Sequence, residues 1–240
     1  MSTYHTPVLL TETLEAMNLK PGATVVDATL GGGGHAGEIM QRISPAGHLI
    51  GLDRDAQALS AARTQLNQAA QAVEGRQVKV NLVQDRFDTL AQHLEALKIT
   101  QVDAILADLG VSSHQLDASE RGFSFQTEAP LDMRMDQSQG ETAQELIHRL
   151  SEQELTQVLR DYGEESLSRP IARMIKQAEA EGRLNTTTEL ALLVANVSRR
   201  RYRTPSRVHP ATRTFQALRI AVNQEMEALQ AFLPQALGVL

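Results

Sequence analysis

Four short apolar stretches mark the first half of the chain: ATVVDA at 23–28, HLIGLD at 48–53, VKVNLVQD at 78–85 and VDAILADLG at 102–110. Each is rich in β-branched residues and too short for a helix, so each predicts a buried strand. Between them apolar residues recur at helical spacing: Leu59, Ala62 and Leu66 after a capping Asp55, then Leu90, Leu94 and Leu97. Strands alternating with helices predict a parallel sheet with helices on its faces. The uninterrupted apolar strand interiors agree, because such strands are buried on both sides. After Leu116 the pattern changes. A polar loop, DASERGFSFQTEAPLDMRMDQSQG, leads into helical periodicity with readable starts. Thr142 with Glu145, Ser151 with Glu154, and Thr186 with Glu189 have the spacing of capping boxes. Pro170 suits a first helical turn and Gly182 a stop. The stretch from His209 to Leu240 reads as one long helix.

The predicted fold is therefore α/β: a Rossmann-like sheet domain from 1–116, an inserted all-helical domain over 117–208, and a return to the first domain over 209–240. Four strands are few for an open sheet of this kind, so either the fold is unusually small or the sheet domain is incomplete.

Composition narrows the class. At 240 residues the chain suits one large domain or two small ones. With 42% hydrophobic and 22% charged residues it is globular rather than disordered. Cysteine is absent, which excludes disulfides and thiolate metal sites. The N-terminus lacks a basic region followed by an apolar run, and no stretch approaches membrane-spanning length. A cytoplasmic protein is expected, off the membrane and of open oligomeric state. The net charge of −6 hides an asymmetry: from Leu190 to Gln224 there is no Asp, Glu or Lys but seven arginines, so that segment carries +7 and the rest −13. Arg199, Arg200, Arg201, Arg203, Arg207 and Arg213 are candidate phosphate contacts, with Tyr202 as a base-stacking candidate. A solvated helix end is the bland alternative.

The chemistry concentrates in DATLGGGGHAGEI, residues 27–39. Gly32, Gly34 and Gly37 satisfy G-x-G-x-x-G between a strand and a helix, and Asp53 ends the next strand where a ribose-binding acid belongs. No Lys-Ser or Lys-Thr follows, so the loop is not a P-loop. Asp27, directly before the glycines, would repel a pyrophosphate and attract an ammonium group. That favours S-adenosylmethionine over a dinucleotide, although capping of the loop by Asp27 fits equally well. A nicotinamide-dependent oxidoreductase is the alternative the glycine spacing leaves open. Asp108 ends the fourth strand, where ligands of open α/β sheets bind. Asp85 and Phe87 end the third; Phe87 suits an adenine contact and the core equally. The seven histidines show no metal-ligand spacing.

The stretches HTPVLL, DATLGGGGHAGEI, GLDRD, DLGVSSHQLD, RGFSF, PLDMRMD, YGEE and HPATRTFQALRI occur in that order along nearly the whole chain. Together they resemble the bacterial ribosomal RNA small-subunit methyltransferase H family. The resemblance implies a Rossmann-like methyltransferase domain with an inserted helical domain. It implies methylation of N4 of a decoding-region cytidine in 16S rRNA, within the small ribosomal subunit, with S-adenosylmethionine as cofactor. It further implies that Gly33, Gly34, His35, Asp53, Phe87, Asp108 and Gln115 line the cofactor site. Asp108 is also a catalytic candidate, since a carboxylate is a usual partner for cytosine N4. The family continues beyond the last of these motifs and nothing here matches that continuation, so a shortened member is expected. A non-catalytic RNA-binding chain is the corresponding alternative.

Overall fold

The computed structural model describes residues 7–71, 78–112, 115, 118–201 and 208–240. The four apolar stretches form β1 (Thr24–Asp27), β2 (His48–Asp53), β3 (Lys79–Gln84) and β4 (Ala104–Leu106). They pair in parallel in the order β3-β2-β1-β4, with Asp27 opposite Gly51 and Asp53 opposite Gln84. Ten α-helices lie among the described residues: α1 (Leu10–Ala16), α2 (Gly34–Ile43), α3 (Ala56–Gln71), α4 (Leu90–Ala96), α5 (Ala143–Arg149), α6 (Glu152–Asp161), α7 (Ser168–Ala180), α8 (Thr187–Arg201), α9 (Thr212–Val222) and α10 (Glu225–Val239).

Contacts divide the chain into two units, Met1–His114 with Met226–Leu240, and Gln115–Glu225. In the first, neighbouring strand residues serve opposite faces, as the pleat requires. Val25 and Leu49 pack with Ala36, Ile39, Ala62 and Leu66 of α2 and α3. Val26 and Ile50 pack with Leu90 of α4 and Phe232 of α10. Gln235 of α10 satisfies the start of α4: its Oε1 accepts the Ala91 amide at 2.9 Å and its Nε2 donates to the Asp88 carbonyl at 2.6 Å. Asp55 accepts the Gln57 amide at 3.0 Å at the start of α3.

The second unit is helical. The first two spacings close as complete capping boxes. The third does so as well: Glu189 accepts the Thr186 amide and donates its own amide to the Thr186 hydroxyl. The polar loop before α5 is ordered by its own sequence. Arg121 is 1% exposed, and its Nη2 donates to the carbonyls of Arg134 and Met135 at 3.0 and 2.8 Å. A Cβ on Gly122, which has φ of +73°, would meet the Pro130 carbonyl at 2.4 Å. RGFSF and PLDMRMD are thus two strands of one knot, and the glycine is what lets their backbones touch.

Two expectations need correction. The segment from 209 is not one helix but two, α9 and α10, and the helical unit runs to Glu225 rather than 208. Helix α9 packs on α5 and α6, which keeps it in that unit. The break falls at Asn223, followed by Gln224 with φ of +49°. Asn223 is 5% exposed. Its Oδ1 accepts the Met135 amide, and its Nδ2 donates to the carbonyls of Met133 and Arg219, all at 2.8 Å. Continuing the helix would break this clamp.

Asn223→Ala would strand a buried donor and a buried acceptor of the loop. It is expected to lower stability by about 2–4 kcal/mol, read as a shift in the urea midpoint. An unchanged midpoint would show that the clamp does not hold the loop.

Candidate functional site

Three carboxylates end up at the carboxyl edge of the sheet because each closes a strand. Asp27 ends β1 and is 1% exposed. Asp53 ends β2, and Asp108 lies exposed just past β4. The glycine loop after β1 is tied to all three strand ends. Ala28 donates its amide to the Leu106 carbonyl at 2.8 Å and Leu30 to Leu52 at 2.9 Å. Asp53 Oδ2 accepts the Gly31 amide at 2.8 Å, while its Oδ1 accepts Asp55 at 2.9 Å. Asp27 Oδ1 accepts the Thr29 amide at 3.2 Å, and Thr29 Oγ1 accepts the Asp108 amide at 2.6 Å. Thr29 therefore links the first and last strand ends. Sequence reasoning missed it, although Asp-x-Thr is the spacing of a side-chain-closed turn.

The left-handed residues are Gly31 and Gly33, with φ of +51° and +86°, not the Gly32, Gly34, Gly37 set of the dinucleotide pattern. Gly33 caps α2 and lies against α3, where a Cβ would sit 3.2 Å from Ala62 Cα. A Cβ on Gly34 would meet Pro7 Cγ at 2.5 Å. The close approach that these two glycines allow is made by the chain itself. His35, in the first turn of α2, is 8% exposed, and its Nε2 has no hydrogen-bond partner among the described residues.

Burial moves the Asp27 carboxyl up from 3.8 to about 7, against the pull of the Thr29 amide, and the charges of Asp53 and Asp108 push the same way. Burial also raises the Asp53 carboxyl, opposed by the amides of Asp55 and Gly31. The structure shows the loop-capping half of the Asp27 reading. Phe87 is 8% exposed and lies edge to face with Phe232 at 5.2 Å, packed among core residues. Asp85 Oδ2 accepts from His93 Nε2 at 2.9 Å. Gln115 is buried and belongs to the second unit. Arg199, Arg200 and Arg201 are exposed in the last turn of α8, and Arg213 is exposed in the first turn of α9. Tyr202, Arg203 and Arg207 lie outside the described residues. Among the described residues no group of three or more His, Asp or Glu could hold a metal ion, and no helix is long and apolar enough to cross a membrane.

A parallel sheet with a glycine loop after β1 and acids at the ends of β1 and β2 defines a Rossmann-like nucleotide-binding class. The family model described as MraW methylase matches residues 2–240, and the chain belongs to that family. It is 46% identical over 237 residues to "Ribosomal RNA small subunit methyltransferase H" of Methylobacillus flagellatus, covering 98% of this chain and 70% of that protein. It is 47% identical over 227 residues to the protein of the same name from Trichlorobacter lovleyi, covering 95% and 70%. For that of Symbiobacterium thermophilum the identity is 45% over 240 residues, covering 100% and 73%.

As a member of a methyltransferase family the chain takes S-adenosylmethionine as its cofactor. The site's chemistry fits that molecule. Clustered carboxylates disfavour a pyrophosphate and favour an ammonium, a sulfonium and ribose hydroxyls, and the unpartnered His35 nitrogen sits at a helix start, where carboxylates bind.

The raised Asp27 carboxyl carries a stability cost. The unfolded chain ionises near 3.8 and the folded one near 7. Stability is therefore lost as pH rises between those values and is level above them. Asp27→Asn is expected to raise the thermal midpoint at pH 8, by the equivalent of about 2–4 kcal/mol, with the gain vanishing towards pH 4. The same variant is expected to bind S-adenosylhomocysteine more weakly. A gain independent of pH would contradict the assignment.

Proposed function

We propose that the chain methylates the exocyclic N4 of a cytidine in the decoding region of 16S rRNA, with the RNA presented in the small ribosomal subunit of the cytoplasm. The observation that carries this reading is Asp108, an exposed carboxylate fixed through its own amide at the mouth of the cofactor-type strand ends. The names of the relatives, which specify small-subunit rRNA, support it. So do the DLGVSSHQLD, RGFSF and PLDMRMD stretches. The oxidoreductase reading falls with membership of a methylase family.

When bound, S-adenosylmethionine supplies an electrophilic methyl group on a sulfonium. Among the residues the resemblance names, Gly33, Gly34, His35, Asp53 and Asp108 of the first unit would hold it. Each Asp53 oxygen already accepts one amide and retains a lone pair for a ribose hydroxyl. His35 Nε2 suits the methionine carboxylate, and Asp27 adds negative charge beneath the ammonium. The cytosine N4 lone pair is delocalised into the ring, which makes it a poor nucleophile. Asp108, accepting an N4 hydrogen, would localise that pair and orient N4. Positioning of this kind supplies much of the rate. The arginines at the end of α8 and the start of α9 contact phosphates.

Asp108→Asn is expected to lower methyl incorporation into unmodified small subunits about 100-fold, well beyond any accompanying loss of affinity for S-adenosylhomocysteine. Lost cofactor affinity with preserved turnover would assign Asp108 to cofactor binding alone.

A further inference from the structure

The second unit carries an aromatic arrangement that neither its core nor the cofactor site explains. His209 is exposed, yet its ring is held in place. Its Nδ1 accepts the Ala211 amide at 3.2 Å. Its face lies on Phe125, with centroids 4.6 Å apart and planes inclined by 30°. Phe125 is in turn fixed edge to face by Phe215 at 5.0 Å, and Phe215 is 5% exposed. A capping role before α9 needs only a small acceptor such as Asn or Ser, so the stacked ring goes beyond what the cap requires. One imidazole face is covered by Phe125 and the residue remains exposed, so the ring is held in a fixed orientation at the surface.

The surroundings in sequence are cationic. His209 follows directly on the arginine-rich segment, and no acid occurs between Leu190 and Gln224. Arg213, one turn further on, is exposed and donates from Nη1 to the Glu164 carbonyl at 3.2 Å. A rigid aromatic face beside cations is the combination that binds single-stranded nucleic acid: cations neutralise phosphates and the ring stacks a base. We propose that His209, backed by Phe125, is a stacking platform for an unpaired RNA base, a role that rests on the RNA-methylating reading above. It needs no particular base, because every base offers a π-face.

The test is fluorescence anisotropy with a labelled oligouridylate, whose bases are unstacked in solution, and with a ribose-phosphate chain of equal length lacking bases. His209→Asn keeps the capping acceptor and removes the ring; His209→Tyr keeps a ring. The asparagine variant is expected to bind oligouridylate about fivefold or more weakly, with an unchanged salt slope and unchanged affinity for the base-free chain. The tyrosine variant is expected to stay near the parent. Equal affinity of the parent and His209→Asn for oligouridylate would overturn the platform while leaving RNA binding intact. Equal losses on both probes would overturn it in favour of a phosphate contact. No binding of either probe by the parent would overturn the platform and the RNA reading together.

Discussion

The first unit is organised around one constraint: a carboxylate lies buried under a glycine loop. Asp27 stands at the end of the central strand β1, almost wholly enclosed, where its charge is disfavoured by lost hydration and by two neighbouring acids. The loop above it has to be closed by bonds from all sides. Asp53 grips Gly31, Asp27 grips Thr29, and Thr29 grips the backbone of Asp108. Left-handed glycines let the chain make these turns and still start α2 against α3. The result is a rigid, electronegative strand edge. Carboxylates gathered there disfavour a phosphate and suit the ammonium and sulfonium of S-adenosylmethionine.

The second unit is closed by a different device, a polar knot around the loop that precedes α5. Arg121 and Asn223 reach the same short stretch, Met133 to Met135, from sequence distances of a dozen residues and of nearly ninety. Both are buried, and both spend side-chain donors on backbone carbonyls that would otherwise lie unsatisfied. The motifs that mark the family resemblance in this region serve this closure in the structure. The exposed aromatic and cationic groups of the same unit are set apart from it chemically.

Much of this was legible in the sequence, for local reasons. The four apolar runs are strands; β1 and β2 lie largely buried within the sheet, while β3 at its edge is only half-buried. The three capping pairs are fixed by side chains only three residues apart. What was not legible depended on distant partners. The break at Asn223 is set by bonds to Met133 and Met135, and no glycine or proline marks it. A Cβ on Gly34 would meet Pro7, which its spacing could not reveal. Phe87 lay equally between core and site in the sequence; the structure puts it against Phe232.

The central claim is that the strand edge selects a nucleoside that bears an ammonium group and no phosphate. Titration calorimetry with S-adenosylhomocysteine and, separately, with NAD tests it most directly. Saturable binding of S-adenosylhomocysteine with no detectable heat from NAD is the result predicted. Comparable binding of NAD, or binding of neither, would contradict it.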